Sequence, residues 1–233
     1  MKYKTIYIFL LLAYTSFFSC KSKSDNRKEI AQKSIPVVNA RETAVLEISF
    51  VVNEQAYRMS NFGESPQVAV WLENRDSSFY KTVWVTRRAG QNDWLGKVEC
   101  PVALPRWDSR RKASGENTDA VSGATVKNGI FKTRTHVLPA GKYRCYIEVN
   151  ASGDYSERFS YWSRNGAPDT EGNGQPSLVY AGWVDLESNK AIQPGLIGRT
   201  HQFRADGVLY VDTLGFSTAK HLLSNISIRK MSK

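Results

Sequence analysis

The stretch most open to chemistry is DAVSGAT, residues 119–125. Thr125 ends a run of small residues, and Gly123 and Ala124 leave room for a second enzyme to approach its hydroxyl; glycine also admits backbone conformations that other residues avoid. Two readings stand side by side. In one, the stretch is an ordinary turn, with Asp119 as an Asx-type starter and Ser122–Gly123 as the bend. In the other, a group is attached at the Thr125 oxygen. Rival constellations are weak. The chain has no G-x-S-x-G, no Walker loop and no H-E-x-x-H. His136, His201 and His221 are scattered, no Cys/His spacing suits zinc or haem, and no metal is expected. Asp185 and Glu187 share one side of a strand but lie near a turn. Trp71, Trp84 and Trp183 are conceivable as a sugar-binding face, although Trp in a sandwich strand is more often core.

The elements that position this stretch read as strands. Leu46, Ile48, Phe50 and Val52 alternate on one face of TAVLEISFVV. QVAVWLEN is apolar on both faces, which suits a strand covered twice. FYKTVWVTRR, GIFKTRTHV, SLVYAGWVDL and SNISIRK follow the same grammar, and GVLYVDTL is a shorter candidate. KYRCYIEVN puts Tyr143, Cys145, Ile147 and Val149 inward and Lys142, Arg144 and Glu148 outward. About eight short strands separated by Gly, Pro, Asn and Asp turns predict an antiparallel sandwich. STAKHLL, residues 217–223, is the one good helical piece, with Ser217 as its cap. Two connections are long, about 88–128 and 161–177, and long structured loops are usually functional or mobile.

The chain opens with basic MKYK, an apolar run over residues 5–18, and then Cys20. That run is too short for a bilayer span, which takes about 20 residues, and the order of parts is that of an export signal. A Cys directly after a small residue at the end of the run resembles a bacterial lipobox. The resemblance implies cleavage after residue 19 and lipidation of Cys20. Residues 20–42 then form a polar tether, and 43–233 the folded domain. The formal net charge of +10 suits anionic headgroups or an anionic cofactor; an exported chain rarely meets nucleic acid. In that compartment Cys100 and Cys145 are either one disulfide or free thiols.

PQVAVWLENRDSSFYKTVWVTRRAG, DAVSGAT, PAGKYRCYIEVNASGDYSE, NGQPSLVYAGWVDL and LGFSTAKHLLSNISI together resemble the domain-of-unknown-function family 2271, over about residues 44–230. Those are exported bacterial proteins. PAGKYRCYIEV is also similar to the closing hairpin of flagellar-hook-cap-type immunoglobulin-like domains. DAVSGAT resembles the acceptor motif of FAD:protein FMN transferase substrates: Asp119, two variable residues, Ser122, Gly123, Ala124 and the acceptor Thr125. It departs from better-known carriers at Lys127, where a further Thr or Ser is common. The resemblance implies covalent FMN on Thr125; Arg110 and Arg111, in the basic run before the motif, would either contact the flavin or stand as a solvated basic loop. Trp107 would either stack on the flavin ring or pin the loop to the sandwich.

The expected architecture is a single immunoglobulin-like antiparallel β-sandwich, all-β, with long loops and one short C-terminal helix. The expected function is a periplasm-facing, lipid-anchored FMN carrier in extracytosolic electron transfer. Its partners would be an FAD:protein FMN transferase and membrane or periplasmic redox proteins. The alternative is a cofactor-free envelope lipoprotein acting as a protein-binding or assembly module. An envelope glycan hydrolase has little support.

Overall fold

Among the described residues nine strands form two layers, several of them built on alternating apolar and polar residues. The computed structural model describes residues 44–59, 65–93, 103–116, 122–123, 127–137, 141–150, 153–161 and 174–231. The strands are β1 (Ala44–Val52), β2 (Gln67–Asn74), β3 (Tyr80–Thr86), β4 (Ser122–Gly123), β5 (Gly129–Val137), β6 (Lys142–Asn150), β7 (Leu178–Asp185), β8 (Gly195–Arg199) and β9 (Leu223–Lys230). One sheet has the order β5-β1-β9 and the other β4-β3-β2-β6-β7-β8. Every pairing is antiparallel except that of β3 with β4. β1 pairs with β5 in one sheet while β2 pairs with β6 in the other. That interlocked pattern is the Greek-key core of an immunoglobulin-like sandwich. Tyr143 stands two residues before Cys145, a spacing common at the start of the corresponding strand in such domains.

The inner faces meet in one core. Leu46, Ile48 and Phe50 of β1 face Val68, Val70 and Leu72 of β2 and Cys145, Ile147 and Val149 of β6. The odd residues of β2 build a second core on the outer face of the six-stranded sheet. There Ala69 and Trp71 pack with Val85, Tyr146, Val179 and Ala181 beneath Ala103, Leu104 and Trp107. Trp71 stacks on Tyr146 with ring centroids 5.0 Å apart. β2 is therefore covered on both sides, as its double apolar pattern requires. Cys145 is a free thiol, fully buried, and burial pushes its pKa up; Cys100 lies outside the described residues.

Three short helices interrupt the strands: α1 (Glu54–Arg58), α2 (Arg87–Gln91) and α3 (Pro105–Ser114). Asn53 caps α1, its side-chain oxygen accepting from the Ala56 N–H at 3.2 Å. Pro105 opens α3, and Gly115, at φ 70°, ends it in the left-handed region. The described residues of the long 88–128 connection thus include most of α2, all of α3 and the short strand β4. The expected C-terminal helix is a single 3-10 turn, Thr218–His221, running straight into β9. Ser217 does not cap it. The buried Gln175 side chain does so instead, accepting from the Ser217 and Ala219 amides at 3.0 and 3.3 Å. GVLYVDTL forms only one bridge, Tyr210 to Arg199.

Candidate functional site

The DAVSGAT stretch is held at the edge of the six-stranded sheet. Ser122 and Gly123 are β4, the terminal strand, running parallel to β3 with Ser122 opposite Val85 and Gly123 opposite Thr86. A Cβ built on Gly123 would lie 2.4 Å from Trp84 Nε1. The residue must be glycine for the chain to lie this close to the indole, unless Trp84 moves, and Trp84 is itself packed on Phe131 at 4.5 Å. Asp119, Ala124 and Thr125 lie outside the described residues.

Two further anchors bracket the stretch. Before it, the Glu116 carboxylate accepts from the Thr82 amide at 2.8 and 2.9 Å and from the Thr82 hydroxyl at 2.5 Å. After it, the Tyr57 hydroxyl donates to the Lys127 carbonyl, and Asn128 Nδ2 donates to Glu54 Oε2 at 2.7 Å. Thr125 is two residues from Gly123 and two from Lys127. α2 continues directly from Thr86 and packs against both β3 and β4, which brings Arg87 and Arg88 to the same edge. Arg87 pairs with Asp93 at 2.9 Å.

Of the side chains expected near a flavin, Trp107 and Arg110 fasten α3 to the sheet, and Arg111 stays within the helix. Trp107 is 1% exposed and donates through Nε1 to Thr82 Oγ1 at 3.2 Å. Of its two expected roles, the structure places it in the pinning one. Arg110 grips Glu73 with two hydrogen bonds of 2.9 and 3.0 Å, and this partner raises its pKa. Glu73 also accepts from Trp71 Nε1 at 2.9 Å. Arg111 binds Asp108 at 2.7 Å and lies over the Trp107 ring.

Glu148 is the residue that periodicity misplaced. Alternation puts it on the face opposite the apolar one, yet it is 0% exposed, because α3 covers that face. Leu104, at the N-cap position of α3, offers no side-chain acceptor. The Glu148 carboxylate takes its place, accepting from the Arg106 and Trp107 amides at 3.2 and 2.7 Å and from Ser177 Oγ at 2.6 Å. Burial pushes its pKa up to about 7, against the pull of Ser177 and the two amides. The only signal in the sequence is an acid set among apolar residues in IEV.

Trp71 is buried in the second core, Trp84 packs on the first, and Trp183 is half exposed. They do not form one sugar-binding face. No metal-ligand cluster occurs among the described residues, and no helix there is long and apolar enough to cross a membrane.

A family model described as "Predicted periplasmic protein (DUF2271)" matches residues 50–160. The match runs from the end of β1 through β6 and takes in α3 and the DAVSGAT stretch, a narrower span than the whole domain. Neither a curated protein nor a solved structure matches the chain.

Proposed function

We propose that this is an envelope protein, lipid-anchored through Cys20 on the periplasmic side, that carries FMN covalently on Thr125 for extracytosolic electron transfer. The observation that carries the reading is the three-point fixing of the motif. Glu116 is tied to Thr82, Ser122–Gly123 is stapled to β3, and Lys127–Asn128 is tied to α1. These anchors fix the chain on either side of the acceptor in sequence and hold Ser122–Gly123 on a terminal strand, an edge that a transferase can bind. The family's description as periplasmic agrees with this compartment.

In the attachment step the Thr125 oxygen forms a bond to the flavin-side phosphorus of FAD. The phosphorus–oxygen bond to AMP breaks, AMP leaves, and the transferase takes the hydroxyl proton. Bound FMN supplies reversible electron transfer to redox partners. Arg87 and Arg88, beside β4, add positive charge suited to the phosphoester. Arg110 and Trp107 act at one remove, by holding α3 and with it the Glu116 anchor.

Co-expression of the full chain with an FAD:protein FMN transferase tests this. The denatured band is expected to fluoresce yellow and gain the mass of one FMN less one water; Thr125→Ala is expected to lose both. A wild-type band without covalent flavin overturns the proposal, and label retained in Thr125→Ala moves the attachment to another residue.

A further inference from the structure

A second site lies at the opposite edge of the six-stranded sheet. β8 and β4 are its two terminal strands, separated by five strand spacings, or about 24 Å. At the β8 end is a cleft of about 570 Å³, lined by Arg158, Arg199, Arg204, His201, Phe203 and Tyr210, among others. That volume is ordinary for a small-molecule site.

The walls are fixed before any ligand arrives. Arg199 and Tyr210 exchange backbone hydrogen bonds of 2.9 and 2.8 Å. Gly198 allows that close approach: a Cβ there would lie 2.4 Å from the Tyr210 carbonyl oxygen. The buried Gln202 donates to the Ser160 carbonyl at 2.9 Å and ties the second wall to the first. The Arg199 guanidinium lies 4.8 Å from the Tyr210 ring centroid and 5.6 Å from that of Phe159.

The charge is unbalanced. Among the described residues no acidic side chain lines the cleft. Asp212 is shared by Arg158 and Arg199, and Arg204 is exposed and makes no ion pair among the described residues. Three guanidiniums thus answer to one carboxylate. Arg199 places three of its N–H groups on Asp212 and Thr200, of the roughly five a guanidinium carries. His201 Nδ1 accepts from the Phe203 amide at 3.0 Å, so the neutral ring carries its proton on Nε2 as a donor. Guanidiniums recognise oxyanions, and the flanking rings offer stacking faces to a planar group.

We propose that this cleft binds a small organic oxyanion, a carboxylate or phosphate ester joined to a planar apolar ring. The proposal does not depend on flavin at Thr125. Calorimetric titration of the full chain with phenyl phosphate, benzoate and inorganic phosphate tests it. At least one ring-bearing probe is expected to bind saturably at one per chain, roughly tenfold or more tighter than phosphate. Arg204→Glu, at an exposed position, is expected to keep the wild-type melting temperature and weaken that probe by roughly tenfold or more. Tyr210→Leu should narrow the gap between ring-bearing probe and phosphate, and Thr125→Ala should bind as the wild type does. Absence of saturable binding by both ring-bearing probes, equal binding of phosphate, or undiminished binding in Arg204→Glu overturns it.

Discussion

Glu47 and Glu148 are buried on the outward faces of the two sheets, and the two carboxylates are held by opposite means. Glu47, on β1, is 3% exposed and sits between cross-strand neighbours Arg134 on β5 and Arg229 on β9. Hydrogen bonds from Arg134 and then Arg229 hold its carboxyl below the usual carboxylate range. Glu148, on β6, meets two backbone amides and a serine, and burial raises its pKa. The cause is what covers each face. Glu47 is covered by two long side chains whose own surfaces stay largely in water. Helix α3 seals the face around Glu148, and a helix end supplies neutral donors rather than a counter-charge. The outward carboxylate of one sheet is held at the surface by charge, and that of the other lies beneath α3, which leads into the Glu116 anchor.

The largest effect should come from removing the anchor of α3. Trp107 fills the second core and reaches Thr82, which in turn holds Glu116. Trp107→Ala is expected to cost about 3–5 kcal/mol, read by urea unfolding. It should also lower flavin loading at Thr125 by loosening the upstream anchor. A loss below about 1 kcal/mol, the range typical of surface changes, would show that α3 is not integral to the fold.

Glu148 sharpens the contrast through pH. Its folded pKa lies above the ordinary 4.5, at about 7. The stability it contributes is therefore present below pH 4.5 and lost as pH rises through 7, an effect on the order of 3 kcal/mol. Glu148→Gln copies the protonated form: its oxygen can accept from Trp107 and its amide can donate to Ser177. The variant is expected to match wild type near pH 5 and exceed it near pH 8, by chemical denaturation at both. Equal stability of the two proteins at pH 8 would mean that the donors around Glu148 compensate its charge in full.

Reading by period two found β1, β5 and β6, and apolar, β-branched and aromatic runs marked β2, β3, β7 and β9. It missed β8, whose five residues GLIGR include two glycines and no alternation. It missed α3 because PRWDSRRKAS has no apolar stripe; its fasteners, Glu148, Glu73 and Thr82, are 25 to 42 residues away in sequence. The same gap explains Glu148. Strand alternation tells inward from outward, and only knowledge that a helix covers the outward side tells outward from wet. At the candidate site the motif was legible as letters. The contact that demands Gly123 was not, because Trp84 lies on a strand nearly forty residues earlier.

The smallest effect belongs to the face around Glu47. Arg134 and Arg229 are each more than half exposed, so solvent screens their attraction to Glu47. Removing one leaves the other in place. Arg134→Ala and Arg229→Ala should each cost only about 0.5–1 kcal/mol at pH 7, and 1 M salt should shrink the difference from wild type. The pH dependence should run opposite to that of Glu148. The Glu47 pKa is lowered on folding, so its contribution is present above pH 4.5 and lost as pH falls through the folded value. The double variant Arg134→Ala/Arg229→Ala should lose more than the sum of the two, since it alone strands the carboxylate beneath its neighbours. A strictly additive double variant, measured by denaturant unfolding at pH 7, would mean that Glu47 is held by the sheet itself and not by its two arginines.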